Sequence, residues 1–388
     1  MERQVLGMKG KRIVCFALLA VAAFQPAWAS AAPAVSEPKL SAKAAVVVDA
    51  DDGRVVYAKN EHERLAIAST TKIMTSLLTL EAAEAENRAV TITPEMVRVE
   101  GSSMGLRAGD RLTLRDIAEG MLLVSGNDAA NSAALAVGGT MDRFVSMMNA
   151  KAAELGMKDT HFVTPSGLDD SAHYSTAYDL ALLTCAALHN ADFADIVSQK
   201  SMRIHFLNPD VTRTYGNHNR LLSLYPYCTG VKTGFTKKSG RCLVSSAEKD
   251  GVSLIAVTLG DPDDWKDHEN LLDYGFTRMV SRPVDDSAYR VSIPIVGGVQ
   301  AELSVAGTRG DPVTVACGDS LARTVELPRF VYAPVKSGQV LGRVRYVCAG
   351  KTVAQTELVA AEDVPAAPKQ KAWFQILWDG IVDLLTGK

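Results

Sequence analysis

The chain has 388 residues, enough for two domains and additional segments. Hydrophobic residues make up 47% of it and charged residues 22%, so the composition supports a packed core. The formal net charge of -3 argues against nucleic-acid binding as the main role.

The N-terminus has the features of a secretory signal peptide. A basic stretch at residues 9–12 precedes an apolar stretch at 13–24, and residues 27–29 read Ala-Trp-Ala, which is typical of a cleavage site. We therefore predict a signal peptide at 1–29, followed by a flexible lead-in at 30–42. The mature protein is expected to act outside the cytoplasm.

The cysteine count after this segment is odd, so at least one thiol has no disulfide partner within the chain. The five are Cys185, Cys228, Cys242, Cys317 and Cys348. Cys228 with Cys242, and Cys317 with Cys348, are possible pairs, and buried free thiols are the alternative.

Two short apolar runs, at 44–48 and 54–57, flank a Gly-containing turn and predict a β-hairpin. A loop at 60–67 then leads to Ser69, where a predicted apolar helix begins. Ser69 and Lys72 lie three positions apart and therefore share one helix face.

A Ser–Lys pair on one face can perform nucleophilic chemistry. A hydroxyl becomes nucleophilic when a base removes its proton, and Lys72 can be that base if burial or a neighbouring cation lowers its pKa. The helix N-terminus favours an oxyanion at the same place. The structural alternative is an N-capping Ser69 beside a solvated Lys72.

A second serine motif, Gly-x-Ser-x-Gly, occurs at 101–105. A nucleophile in this pattern needs a helix directly after it. The following residues predict a turn, which disfavours Ser103 as a nucleophile.

A helical pattern runs from Leu112 to Val124 and resumes from Ala129 to Val137. The residues between them predict a loop on which Ser125 and Asn127 can face a cleft. N-capping of the second helix by either residue is the alternative.

The next segments predict helices at 141–155 and 178–188 and then a strand at 229–236. This strand carries Lys232 and Thr233, with Gly230 and Gly234 close on either side. Glycines within a strand often mark a place where a ligand approaches the backbone. Strands at 242–246 and 252–259 and a helix at 265–274 follow.

Composition changes near residue 281, and short β-type runs with turn residues predict a small all-β domain at 281–362. A linker at 363–371 leads to an amphipathic helix at 372–388 with two Trp on its apolar side. Its length and two Asp argue against a membrane span. An interfacial membrane anchor is the favoured interpretation, and a helix docked on the protein body is the alternative.

Three motifs occur in order: Ser69-x-x-Lys72, Ser125-x-Asn127 and Lys232-Thr233-Gly234. On these motifs the chain resembles the low-molecular-mass penicillin-binding proteins, the serine-type D-alanyl-D-alanine carboxypeptidases of peptidase family S11. The resemblance implies an α+β fold. A β-lactamase/transpeptidase-like catalytic domain at 43–280, an antiparallel sheet plus a helical cluster, would precede the small β domain.

The resemblance implies catalytic roles for three side chains. Ser69 would be the acylated nucleophile, Lys72 its base, and Ser125 the relay that carries a proton to the leaving amine. The backbone N–H groups of Ser69 and Phe235 would form the oxyanion hole. No cofactor or metal is expected.

The resemblance also implies substrate-binding residues. Asn127 would bind the substrate amide, and Lys232 and Thr233 would hold the terminal carboxylate. Gly234 would keep the strand surface open for the peptide.

The implied reaction removes the terminal D-alanine from peptidoglycan stem pentapeptides at the outer face of the bacterial cytoplasmic membrane. The C-terminal helix would contact the membrane surface, and β-lactams would acylate Ser69 as inhibitors. A D,D-endopeptidase that cuts cross-links is an alternative. A β-lactamase is disfavoured because no Glu-x-x-Leu-Asn stretch follows the second motif, and a non-catalytic muropeptide-binding protein would not need the Ser–Lys pair.

Overall fold

The computed structural model describes residues 36–368 and 373–386. The predicted signal peptide lies outside the described residues, as does the first part of the predicted lead-in. The helices are α1 (Lys72–Ala85), α2 (Leu114–Val124), α3 (Asn127–Gly138), α4 (Met141–Glu154), α5 (Ala177–Leu188), α6 (Ala191–Ser198), α7 (Leu221–Leu224), α8 (Asp264–Arg278) and α9 (Trp373–Thr386).

The strands fall into a first group before residue 260 and a second group after it. The first group is β1 (Ala44–Asp49), β2 (Val55–Lys59), β3 (Ala89–Thr91), β4 (Arg111–Thr113), β5 (Ser201–Leu207), β6 (Asp210–Gly216), β7 (Cys228–Thr236), β8 (Gly240–Lys249) and β9 (Val252–Leu259). The second group is β10 (Met279–Arg282), β11 (Arg290–Val296), β12 (Glu302–Gly307), β13 (Val313–Ala316), β14 (Ala322–Glu326), β15 (Val331–Tyr332), β16 (Val340–Cys348) and β17 (Lys351–Ala360).

A 5-stranded antiparallel sheet in the order β2-β1-β9-β8-β7 forms the scaffold of the N-terminal part. Both of its faces are covered. Successive residues of β1 point to opposite faces, so Val46 and Val48 pack with α1 and α5, whereas Ala45 and Val47 pack with α8. The order leaves β7, the strand of the third motif, at one edge of the sheet.

Helix α1 lies inside the helical cluster, and most of its residues are buried. Its apolar side chains, including Ile73 and Leu77, join the largest core of the molecule. This burial follows from a helix that is apolar on most of its surface. The expected α+β architecture, with an antiparallel sheet beside a helical cluster, is confirmed.

The structure differs from the predicted element boundaries near residue 112. Leu112 belongs to β4, and Thr113 caps α2 by accepting a hydrogen bond from the Asp116 N–H at 3.2 Å. The helix therefore begins at Leu114, because the Thr113/Asp116 capping box ends the strand.

The hairpin β5–β6 was not predicted from the sequence. Ile204 and Phe206 point inward from β5 into a second core beneath α2, while Arg203 and His205 are exposed. The hairpin also supports the 101–106 loop, because the Tyr215 hydroxyl donates to the Met104 carbonyl at 2.9 Å.

The C-terminal part is all-β, as expected. A 6-stranded sheet in the order β14-β16-β17-β12-β11-β15 surrounds its own core, which includes Leu303, Val305, Val344 and Leu358. Strand β10 follows α8 directly and pairs with β13.

The five cysteines of the described residues are all free in the structure, so neither possible disulfide pair forms. Among the described helices, none is by itself long and apolar enough to cross a membrane. The pair α5 and α6 passes the same length and composition test only jointly, across a bend of 107°.

Candidate active site

Ser69 lies in a 3-10 turn, Ala68–Thr71, that leads directly into α1. The sequence analysis expected the α-helix to begin at Ser69, whereas it begins at Lys72. Thr70 and Thr71 hold the turn by donating their hydroxyls to the carbonyls of Ile67 and Ala68 at 2.6 and 2.8 Å. Ser69 is partly exposed while its neighbours are buried, so the turn presents the hydroxyl to solvent.

The turn is tightly packed against the 164–168 loop. Ala68 has a φ of 47°, a backbone conformation that is uncommon for a residue with a side chain. A Cβ added to Gly167, which has a φ of +78°, would lie 1.9 Å from the Ala68 carbonyl oxygen. Only glycine therefore fits at position 167, and its absence of a side chain lets the loop close over the nucleophile turn.

Lys72 is fully buried and contacts three polar atoms. Its Nζ lies 2.9 Å from Ser69 Oγ, 2.7 Å from Asn127 Oδ1 and 2.6 Å from the Ser166 carbonyl oxygen. Burial lowers the pKa of Lys72 well below its ordinary value, and the charge of Lys232 lowers it further, against an opposing effect of Asp128.

The neutral form of Lys72 has a defined orientation. A neutral amine has two N–H groups and one lone pair, and the oxygens of Asn127 and Ser166 can only accept hydrogen bonds. Both N–H groups are therefore used by these two oxygens, and the lone pair faces Ser69. In this state the Ser69 hydroxyl donates to Lys72 Nζ, which is the arrangement of a nucleophile with its general base.

The second motif occupies a helix junction. Ser125 follows the last residue of α2 in the left-handed conformation, with a φ of 60°, and Asn127 is the first residue of α3. Asn127 is therefore on a helix and not on the expected loop. Gly126 is the N-cap residue of this helix. Neither Ser125 nor Asn127 caps α3.

Both the oxygen and the nitrogen of the Asn127 side-chain amide form hydrogen bonds within the protein. Its Oδ1 accepts from Lys72, and its Nδ2 donates to the Glu100 carbonyl at 2.6 Å. Ser125, by contrast, is nearly buried, and within the described residues its hydroxyl has no hydrogen-bond partner.

The Asp128 carboxylate organises the loop that carries the Gly-x-Ser-x-Gly pattern. It accepts from the N–H groups of Met104, Gly105 and Leu106 at 3.0, 3.0 and 2.9 Å, and from Ser103 Oγ at 2.6 Å. The Ser103 hydroxyl thus donates to a carboxylate that already holds three backbone N–H groups of its own loop, which is the pattern of a structural serine.

The third motif lies on β7 beside the nucleophile turn. A Cβ added to Gly234 would lie 3.1 Å from the backbone nitrogens of Ser69 and Thr70, so the strand backbone lies directly against the turn. Thr233 is partly exposed, and Phe235 is 66% exposed. Because β7 is an edge strand, an extended peptide can pair with it.

Lys232 is buried, with 1% of its surface exposed, and its Nζ donates to the Thr233 carbonyl at 2.9 Å. Burial lowers its pKa to about 7. His218 is close enough to Lys232 for that charge to add to the effect of burial in lowering the pKa of the imidazole. No motif in the sequence marks His218 as part of the site.

His173 connects the nucleophile turn to the 163–168 loop, and it too was missed. Its Nδ1 accepts from the Val163 N–H at 3.0 Å, so the ring proton is on Nε2, which donates to Thr71 Oγ1 at 2.8 Å. Thr71 in turn donates to Ala68. Burial lowers the pKa of His173 to about 4, which keeps the ring neutral at physiological pH.

The structure brings Ser69, Lys72 and Asn127 into direct contact and places Gly234 of the third motif against the same turn. Residues 36–368 and 373–386 contain no group of three or more His, Cys, Asp or Glu side chains arranged as metal ligands. The geometry supports acyl transfer: a serine, a buried amine, a free hydroxyl and a lysine beside an open strand edge.

Comparison with known proteins agrees with this geometry. The family profile for D-alanyl-D-alanine carboxypeptidase matches residues 31–263, and the profile for the C-terminal domain of penicillin-binding protein 5 matches residues 312–366. The chain is 31% identical to the D-alanyl-D-alanine carboxypeptidase DacF of Bacillus subtilis over 86% of this chain and 88% of the relative. It is 32% identical to DacC of Escherichia coli over 92% of each.

Solved structures give the same result. Penicillin-binding protein 5 of Haemophilus influenzae aligns with a TM-score of 0.63 and 28% identity, covering 85% of this chain and 99% of the relative. DacD of Francisella tularensis aligns with a TM-score of 0.61 and 28% identity, covering 86% and 95%. The chain belongs to the peptidase S11 family of D-alanyl-D-alanine carboxypeptidases.

Proposed function

We propose that the protein is a serine D-alanyl-D-alanine carboxypeptidase that removes the terminal D-alanine from peptidoglycan stem pentapeptides and binds penicillin covalently. The observation that carries the proposal is the 2.9 Å contact between Ser69 Oγ and a fully buried Lys72. Burying a lysine without a carboxylate partner is costly for the charged form, and this cost favours the neutral base that the chemistry needs.

In the proposed reaction, Lys72 takes the Ser69 proton as Oγ attacks the carbonyl of the penultimate D-alanine. The backbone N–H groups of Ser69 and Phe235 stabilise the oxyanion, at about 3–4 kcal/mol per donor in comparable enzymes. The Ser125 hydroxyl, which has no partner within the described residues, passes a proton to the leaving amine. D-Alanine departs, and water then hydrolyses the acyl-enzyme.

Substrate binding is proposed to use the open edge of β7. Lys232 and Thr233 offer a cation and a hydroxyl to the terminal carboxylate, and Gly234 leaves the strand backbone accessible. Asn127 binds the substrate amide by exchanging the hydrogen bond that its Nδ2 now makes to Glu100.

A direct comparison of two substrates tests this function. The purified protein is incubated with a soluble stem pentapeptide and, separately, with a cross-linked muropeptide dimer, and the products are separated by chromatography. Release of free D-alanine from the pentapeptide at the higher kcat/KM is the expected result. Faster cleavage of the dimer would instead identify a D,D-endopeptidase, and no cleavage of either would favour a muropeptide-binding protein.

The pH dependence follows from the two lysines. Lys72 must be neutral to act as a base, so kcat/KM rises as the pH passes its lowered pKa. Lys232 must be charged to bind a carboxylate, and its pKa is about 7, so kcat/KM falls as the pH rises above about 7. In Lys232→Arg, whose guanidinium stays charged, this alkaline decline should disappear even if the maximal rate is lower. An identical decline in both proteins would contradict this assignment.

Thr71→Val should lower kcat by about 10- to 100-fold with little change in KM, because the nucleophile turn loses its tie to His173 and small displacements are costly in catalysis. Thr71→Ser keeps the hydroxyl and is the matched control, with activity expected within a few-fold of the original. Steady-state kinetics well below the unfolding temperature gives the comparison. Equal losses in both variants would contradict this role of the hydroxyl, because Thr71→Ser keeps the hydroxyl that bonds to His173 and Ala68.

We also propose that the protein works at the outer face of the cytoplasmic membrane, exported by the signal peptide and anchored by the segment 372–388. In this arrangement, we propose that residues 43–280 form the catalytic domain and residues 281–362 form the β domain. The separate core of the β domain supports the division. The exposed apolar side chains of α9 support interfacial binding.

Removing residues 372–388 should release the protein from membranes and leave kcat/KM on a soluble peptide unchanged, because the site residues all lie between 69 and 235. Sedimentation with membranes, followed by an activity assay of each fraction, measures both effects. A truncated protein that sediments as strongly as the complete one would contradict the anchor.

A further inference from the structure

An exposed apolar patch lies at one end of the β domain. We define the exit patch as Val296, Val299, Phe330 and Tyr332, which are 47%, 59%, 47% and 69% exposed. The rings of Phe330 and Tyr332 pack edge-to-face with centroids 5.4 Å apart, and Val296 pairs with Tyr332 between β11 and β15. Val296, Phe330 and Tyr332 thus form one apolar surface, and Val299 is exposed three residues after Val296 on the turn that follows β11.

The exit patch adjoins the point where the chain leaves the β domain toward α9. The Val299 N–H donates to the Pro365 carbonyl at 3.1 Å, and the Ala367 N–H donates to the Gly297 carbonyl at 2.8 Å. Residue 298 also forms a bridge with residue 366. The turn that carries Val299 is therefore hydrogen-bonded to the last residues before the connection to α9.

The length of this connection limits how far α9 can be from the exit patch. Trp373 is six residues beyond Ala367, and an extended chain spans at most about 3.6 Å per residue, so α9 begins within about 22 Å of Ala367. The apolar side chains of Ile376, Trp378 and Leu385 on α9 are 59%, 67% and 80% exposed. Two exposed apolar surfaces are thus joined by a short connection.

The surroundings of the exit patch suit a lipid headgroup region. Arg329 and Lys336 flank it, both exposed, and neither side chain forms an ion pair with a described residue. The carboxylates of Glu362 and Asp363 accept hydrogen bonds from the Gln300 amide and from the Ser337 N–H. Aromatic rings beside basic side chains are typical of the membrane–water interface, where the rings enter the apolar boundary and the cations reach phosphate.

We propose that the exit patch is a second membrane contact, which enters the lipid–water interface beside α9 and fixes the orientation of the β domain on the membrane. This inference rests on the proposed membrane association of α9. A single weak anchor binds membranes only reversibly, and stable attachment generally takes two signals. Because Val296 and Tyr332 belong to a folded sheet, membrane binding by the exit patch does not require any segment of the chain to become ordered.

The test compares four proteins in sedimentation with vesicles of phosphatidylethanolamine and phosphatidylglycerol. They are the full chain, the full chain with Phe330→Ser and Tyr332→Ser, the chain without residues 372–388, and a control with Leu207→Ser and Val211→Ser. The control removes two similarly exposed apolar side chains, 43% and 40% exposed, from the β5–β6 hairpin. Penicillin binding and thermal unfolding of each protein establish that it is folded.

The expected result is a loss of about tenfold in vesicle partitioning for the Phe330/Tyr332 variant, none for the hairpin control, and a larger loss for the truncated chain. Equal partitioning of the Phe330/Tyr332 variant and the full chain would overturn the exit patch and leave the α9 anchor intact. If the full chain itself did not bind, the anchor and the exit patch would both be wrong. A Phe330/Tyr332 variant that partitions normally but changes from dimer to monomer in ultracentrifugation would assign the patch to a second copy of the chain instead.

Discussion

Ser69→Ala should reduce release of D-alanine from a stem pentapeptide by about 10⁴-fold or more, to the background of the assay. The substitution removes the only atom that forms the acyl bond, and no neighbouring group can replace it. Ser69 is partly exposed, and its side chain makes one hydrogen bond, to Lys72. The fold should therefore tolerate the loss of the hydroxyl. Thermal unfolding within a few degrees of the original protein would show that the fold is intact.

Ser103→Ala is the matched serine control for this experiment. The Ser103 hydroxyl donates to the Asp128 carboxylate, which keeps three backbone donors after the substitution. The free energy of unfolding should fall by about 1.5–3 kcal/mol, the contribution of a hydrogen bond to a charged group. The activity should stay within about tenfold of the original. The nucleophile assignment would be wrong if Ser103→Ala abolished turnover and Ser69→Ala did not.

Lys72→Met should slow acylation by penicillin by about 10²- to 10⁴-fold, the usual contribution of a general base. Methionine fills a similar volume without an amine, so Ser69 loses its proton acceptor while the surrounding core stays packed. The rate of acylation, followed by stopped-flow fluorescence or quenched mass spectrometry, separates this effect from substrate binding, for which we propose the β7 edge.

Lys266→Met is the control for the loss of a lysine. Lys266 is exposed on α8 and pairs with Glu269, far in sequence from the three motifs, so its acylation rate should be unchanged. Normal acylation in Lys72→Met would contradict the role of Lys72 as base and would require another proton acceptor for Ser69.

The local features of the site were predictable from the sequence. Ser69 and Lys72 share a face because they are three residues apart, and short apolar runs bounded by turn residues indicated β1, β8 and β9. The three motifs in order then identified the family. The predicted architecture was confirmed because each of these signals lies within a short stretch of chain.

The contacts that tune the site were not predictable, because they join distant parts of the chain. The Ser166 carbonyl reaches Lys72 across 94 residues, and His173 reaches Thr71 across 102. Neither has a local sequence signal. The position of Asn127 as the first residue of α3 was also missed, since Ser, Gly, Asn and Asp are favoured both in loops and around helix N-termini.

The hairpin β5–β6 illustrates a different cause. Its inward residues alternate as a half-buried strand requires, with Ile204 and Phe206 separated by His205. That signal was present but short, and the surrounding residues are mostly polar and exposed. The exposed apolar residues Leu207 and Val211 also blur the alternation that a strand with one buried face would otherwise show.

Covalent labelling by penicillin tests the central claim most directly. The purified protein is incubated with penicillin, its mass is measured, and the labelled peptide is mapped. The account predicts one penicilloyl adduct per chain, on Ser69, that hydrolyses slowly. An adduct on another residue, or unlabelled protein beside intact penicillin, would contradict the mechanism, and rapid hydrolysis of penicillin without a lasting adduct would instead indicate a β-lactamase.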